Sequence, residues 1–204
     1  RRENNNLGQA AALTNLSLVY QKLGRWEEAN TVINQSLNLL GWDDSSLQFN
    51  KQSNSELWEV IGQTLDIRAG LLLKQGKSNE SLEISQQAEQ IWNKLNNSLG
   101  VTKSRINQAQ ALRVSGFYRR SLNILEQVSQ DLKAQPDSPV KVAALRTLGN
   151  THQQLGNLKE SRDILLQSLD IARRLQLSPE IALTQLSLGN TIRSFNNGKQ
   201  TAIN

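Results

Sequence analysis

His152 is the only histidine in the sequence, and cysteine is absent. A Cys–His pair for nucleophilic catalysis is therefore excluded, and no Gly-x-Ser-x-Gly elbow offers a serine in its place. With one imidazole and no thiolate, a transition-metal site would rest on carboxylates, which does not suit tight zinc binding. Asp43 and Asp44 are adjacent and lack the alternating spacing of a calcium loop. Nothing matches a glycine-rich phosphate loop. The expectation is a chain that is no enzyme, with no catalytic residue, no metal ligand and no cofactor.

What remains is the chemistry of recognition. Asn and Gln carboxamides carry both donors and an acceptor, so they can match the backbone of another chain. Arginine can grip a carboxylate with two parallel hydrogen bonds. Four tryptophans add large apolar faces that could serve recognition or packing. Trp26 and Trp92 fall at positions where packing is expected. Trp42 and Trp58 flank a polar stretch and are expected to cover each other; either one exposed there would make a binding anchor. His152 is expected at a core or half-buried packing position.

These side chains need elements to hold them, and the elements repeat. Gly76, Gly116 and Gly156 stand 40 residues apart, and one further step lands on Asn196. Gly24 opens the series after an interval longer by 12 residues. Five residues beyond each mark is a small residue, Ala29, Ser81, Ser121, Ser161 and Thr201. Seven before it is another, Ser17, Ala69, Ala109, Gly149 and Gly189. Small residues on both sides of a tight turn let two antiparallel helices approach closely, and such a hairpin gains most by stacking on copies of itself. Helical spacing agrees: Leu145, Leu148 and His152 precede the Gly156 turn, and Leu13, Leu16 and Tyr20 precede the Gly24 turn. Ser138–Pro139 and Ser178–Pro179 predict capped helix starts.

The motif Leu16-Ser17-x-x-Tyr20-x-x-x-Gly24-x-Trp26-x-x-Ala29 resembles the tetratricopeptide repeat family, as do Leu148-Gly149-Asn150 through Leu155-Gly156-Asn157-Leu158, and Leu188-Gly189-Asn190. The resemblance covers nearly the whole chain. The 40-residue period is similar to a longer-helix variant found in large bacterial multidomain proteins and in eukaryotic cargo adaptors. It implies an all-α fold, an α-solenoid in a right-handed superhelix of about four and a half antiparallel helix-turn-helix units. Their expected limits are about 7–41, 55–97, 98–137, 138–177 and 178–204. An insertion at 41–54 separates the first two, with Ser53 and Glu56 forming a capping box for the next helix.

In the resembled family the first helix of each pair lines a concave groove that binds peptides. Carried onto this sequence, the inward positions are Thr14, Asn15, Leu18, Gln21 and Lys22, then Asp66, Gly70, Leu73 and Lys74. Lys103, Ile106, Asn107, Gln110 and Arg113 follow, then Arg146, Thr147, Asn150 and Gln153, and last Leu186, Ser187, Asn190 and Arg193. The expected peptide-binding set is Asn107, Gln110, Arg113, Arg146, Asn150, Gln153, Asn190 and Arg193. Asn150 and Asn190 lead it, at equivalent positions one repeat apart. Arg146 and Asn150 resemble the first half of the family's carboxylate clamp, but Ser187 stands where a clamp needs Asn.

The function this implies is a protein–protein interaction scaffold whose partner is a protein or peptide, extended or acidic in character. The alternative is a regulatory or sensor arm of a larger signalling protein with a separate effector, such as a caspase-like peptidase. RNA binding is disfavoured by the long period and by the scarcity of aromatics on the groove face. The formal net charge is +5, a mixed surface with a mild basic bias. No run of 18 apolar residues occurs, so no membrane partner is expected. The chain has no methionine and reads as an internal stretch of a longer cytoplasmic protein, with ends that offer self-association.

Overall fold

The computed structural model describes residues 2–42 and 55–201, and side chains within 6–42 and 55–196. Of the insertion at 41–54, residues 43–54 lie outside the described residues, and so does the capping role expected of Ser53. Among the described residues there are nine helices and no strand: α1 (Arg2–Lys22), α2 (Trp26–Leu39), α3 (Ser55–Lys74), α4 (Ser78–Lys94), α5 (Ser98–Val114), α6 (Tyr118–Lys133), α7 (Pro139–Gln154), α8 (Leu158–Arg174) and α9 (Ser178–Thr201). The helices pack sequentially as antiparallel pairs, and no described helix is long and apolar enough to cross a membrane.

Glycine makes the tight turns. Gly24, Gly76, Gly116 and Gly156 all have φ between 73° and 83°, a region that L side chains avoid. Each sits just past a helix end. The next residue's N–H reaches back to a carbonyl five residues earlier: Arg25 to Tyr20, Lys77 to Leu72, Phe117 to Leu112 and Asn157 to His152, at 2.8–2.9 Å. This closure is the Schellman motif. Asn96 and Gln176 carry out the same closure between pairs, with φ of 54° and 55° and bonds from Asn97 to Trp92 and from Leu177 to Ala172. No glycine marks those two turns in the sequence. Ser138 caps α7 as expected, its Oγ accepting from the Lys141 N–H with Pro139 in the first turn.

Two compact units divide the chain, residues 1–111 and 112–204. In the first, α1 packs on α2 and α3, and α3 packs on α4. Its core includes Ile33, Leu37, Ile61, Leu65, Leu72, Ile91 and the rings of Trp58 and Trp92. In the second, α6 and α8 flank α7, and α9 packs on α7 and α8. Val142, Leu145, Ile171 and Ala172 form a core cluster there.

The small residues are buried as the turn argument requires. Ser17, Ala29, Ala69, Ser81, Ala109, Ser121 and Ser161 are all fully buried. Ser81 Oγ donates to the Ala69 carbonyl at 2.8 Å, joining the two small positions of one hairpin. At Gly149 a Cβ would stand 2.6 Å from Leu165 Cγ, so only glycine lets α7 and α8 come this close.

Two features depart from expectation. The α1 stripe Leu13–Leu16–Tyr20 is not the buried one: Leu16 is 38% exposed, and the buried face runs through Leu7, Ala10, Thr14, Ser17 and Gln21. Leu148, the equivalent of Leu16, is buried because α7 is flanked by α6, α8 and α9. The second departure is at Asn196, which makes no turn. Helix α9 runs through it to Thr201, and a Cβ at Gly189 would meet open space.

Candidate functional site

In the second unit, α7 and α9 lie side by side and present polar residues at helical spacing. Arg146, Asn150 and Gln153 are three or four residues apart on α7, hence on one face. Asn190 and Arg193 repeat that arrangement on α9. Gln153 Nε2 reaches Ser194 Oγ at 3.5 Å, which ties the two rows together. Asn150 is half-buried, and Asn190 and Arg193 are exposed. The side chains of these three have no hydrogen-bond or ion-pair partner among the described residues.

Arg113, near the end of α5, and Arg146 are both half-buried. Burial lowers both below the usual arginine range, and Arg113's charge lowers Arg146 further, while Glu180 at the start of α9 opposes this. The Nε of each is buried with no acceptor.

In the first unit Gln110 is half-buried and not without a partner. Asn107 is committed elsewhere: its Nδ2 donates to both the backbone oxygen and Oδ1 of Asp66, at 3.3 Å each. Asp66 is the centre of a network that no motif or spacing foretells. Its carboxylate accepts from Trp92 Nε1 at 2.9 Å and from Ser104 Oγ at 2.7 Å. Burial pushes its pKa up to about 6 against the pull of these donors and of Lys103. Trp92 is held in place by two glycines, since a Cβ at Gly62 or Gly100 would stand 2.8 or 2.3 Å from its ring. Those glycines, 30 residues before and 8 after the tryptophan, have no turn to explain them and are the one sequence signal of this close packing.

Of the other inward positions, Thr14, Gln21, Ile106, Thr147 and Ser187 are buried and face the core. Thr14 Oγ1 lies 2.9 Å from Ser36 Oγ and 2.8 Å from Thr64 Oγ1, a hydroxyl cluster that joins α1, α2 and α3. A helix packed on several sides cannot keep so wide a face at the surface. Gln21 Oε1 instead accepts from Lys74 Nζ at 3.1 Å.

The tryptophans divide unevenly. Trp92 and Trp58 are buried, and Trp42 meets Trp58 edge to face with centroids 6.3 Å apart. Trp58 is thus no exposed anchor. Trp26, expected to pack, is 39% exposed, with Lys74 Nζ 5.7 Å from its ring centre. His152 is half-buried as expected; burial lowers its pKa, and Asn157 Nδ2 lies 3.3 Å from Nδ1.

Two family models match the chain, both for the tetratricopeptide repeat, one over residues 9–41 and one over 103–174. Together they take in just over half of it. No curated protein matches the sequence. Among solved structures the chain is similar to a putative kinesin light chain of Podosopora anserina with nearly identical TPR-like repeats, at 19% identity and a TM-score of 0.64, covering 94% of this chain and 88% of that one. It is also similar to BtubC (BKLC) from P. vanneervenii, at 15% identity and a TM-score of 0.67, covering 95% of this chain and 77% of that one. These identities speak for the fold. The two family models, with the glycine turns, the buried small residues and the paired helices, lead to one conclusion: the chain belongs to the tetratricopeptide repeat family.

Proposed function

We propose that this chain is a protein-interaction module whose α7–α9 face takes an extended peptide segment. The observation that carries this reading is the pair Asn150 and Asn190, equivalent carboxamides on neighbouring helices with no partner among the described residues. A carboxamide that folding leaves unengaged can donate to a peptide carbonyl and accept from a peptide N–H without selecting its side chains. Gln153 and Arg193 extend the row, and Arg146 and Arg113 add positive charge at one end of it. In the first unit the Asn107 amide is engaged by Asp66, and Gln110 has a partner of its own.

The test selects binders from a library of unstructured peptides displayed on phage and measures Kd for one of them. Replacing both asparagines by alanine (Asn150→Ala with Asn190→Ala) removes two hydrogen-bonding groups at about 1 kcal/mol each, so affinity should fall roughly tenfold or more. The far-ultraviolet circular dichroism should be unchanged, because neither side chain holds the fold. Unchanged affinity in the double variant would show that peptides bind elsewhere.

A further inference from the structure

The turn before α6 departs from the other turns of the repeat at its exposed tip. In the turns before α2 and α4 the residue after the glycine is basic and pairs with a glutamate three residues on, Arg25 with Glu28 at 2.7 Å and Lys77 with Glu80 at 3.7 Å. After Gly156 the corresponding residues are Asn157 and Glu160. After Gly116 they are Phe117 and Arg120, an apolar residue in place of a polar one and a base in place of an acid. Folding does not explain the exchange. Phe117 is 51% exposed, with the Arg120 guanidinium 5.6 Å from its ring centre. Arg119 and Arg120 are exposed in the first turn of α6, where the helix dipole favours acids, and neither pairs with an acidic group among the described residues.

Phe117 does not stand alone. With Leu155, from the turn between α7 and α8, it walls a mostly apolar notch of about 290 Å³ that Arg119 and Arg120 also line. A second hollow of about 470 Å³ shares Arg119 and Leu155 and reaches Leu122. Neither shares a residue with the α7–α9 carboxamide row. An aromatic ring and a leucine open to water beside two unpaired guanidiniums suit a ligand that is apolar at its centre and acidic around it. Burial of the apolar side chain would supply affinity, and the opposite charges would orient it.

We infer that the Phe117–Leu155 notch is a second docking surface, which takes an aliphatic or aromatic side chain from a partner-protein segment whose neighbouring residues are Asp and Glu.

The experiment uses the whole 204-residue chain labelled with nitrogen-15. The probes are synthetic peptides of the form Gly-Asp-Glu-X-Glu-Asp-Gly, in which X is leucine, isoleucine, phenylalanine or tryptophan, and alanine as the control. The backbone amides of Gly116, Phe117, Tyr118 and Leu155 are followed through each titration at constant ionic strength. At least one apolar peptide should shift them along a saturating curve, about tenfold tighter than the alanine peptide. The double variant Phe117→Lys with Arg120→Glu copies the tip that Lys77 and Glu80 form, so its melting temperature should hold while Kd weakens about tenfold or more. Asn150→Ala with Asn190→Ala should bind these peptides as the wild type does. The notch is overturned if no peptide saturates, if the alanine peptide binds equally well, if the tip variant binds like the wild type, or if loss of the two asparagines abolishes binding. Shifts of the same amides that grow with protein concentration in the absence of peptide would mean that a second copy fills the notch, and would overturn the acidic segment as its occupant.

Discussion

Asp66 shows how one side chain can carry a pH response without belonging to a catalytic site. Its folded pKa, about 6, lies above the ordinary carboxylate value because burial penalises the charge more than Trp92, Ser104 and Asn107 relieve it. An acid shifted upward binds its proton more tightly when folded. The stability it lends is therefore complete below about pH 4 and is lost as pH rises through 6. The wild type should lose up to about 2 kcal/mol between pH 4.5 and pH 7.5 relative to Asp66→Asn, read by denaturant unfolding at both values. Equal slopes for the two proteins would mean that the carboxylate is not buried in solution. None of this is legible in the sequence. Asp66 looks there like one more polar residue on a helix, and its partners come from residues 26 to 41 positions away. Asn150 and Asn190, by contrast, can be found from sequence alone, because a repeat period carries a surface position from one helix to its equivalent.

At the level of helices, the same consensus glycine does different work in two places. Gly149 lets α7 lie against Leu165 of α8, while Gly189, its counterpart on α9, faces open space. Gly149→Ala forces a methyl into the Leu165 side chain and should destabilise the protein by about 1–2 kcal/mol, overpacking outweighing the gain in helix propensity. Gly189→Ala meets nothing and should be neutral or stabilising by up to about 1 kcal/mol. Thermal melting of both variants checks the contrast, and a matching loss in the two would contradict the packing described for α9. The element boundaries are largely readable because glycine at positive φ and Ser–Pro starts are local signals. The ends of α4 and α8 are not, since Asn96 and Gln176 adopt the left-handed turn without announcing it. Nor is the length of α9: a turn at Asn196 needs a following helix packed back on α9, and periodicity alone cannot supply one.

For the molecule as a whole, charge is the property that bears on partners. The sequence carries 23 basic and 18 acidic residues, giving a pI near 9.7. Peptides selected on this surface should be enriched in Asp and Glu, and their affinity should fall several-fold between about 50 and 300 mM salt as screening shortens the reach of exposed charges. Titration calorimetry at both salt concentrations would measure this, and a salt-independent Kd for an acidic peptide would place the binding on the carboxamides alone. The fold class is the easiest feature to read, because a period repeated along the chain averages out local ambiguity. The division into units at residues 111 and 112 falls inside α5 and has no composition change to mark it.

The buried hydroxyls have a consequence for how such a chain can change its length. Ser121 lies 3.3 Å from Thr151, and Ser161 lies 2.9 Å from Thr191: the same bond, shifted by one 40-residue period, joining one hairpin to the next. The unit at 138–177 carries both halves, Thr151 facing back and Ser161 facing forward, whereas the unit before it has Ala111 in the place of Thr151. A duplication or loss of that 40-residue unit therefore rebuilds the contact at the new junction. A change of any other length gives up the Ser–Thr bond at a cost of about 0.5–1.5 kcal/mol, while Thr151 and Thr191 keep their bonds to the Thr147 and Ser187 carbonyls. The pairs thus act as a ruler, favouring growth and shortening of the array in whole repeats.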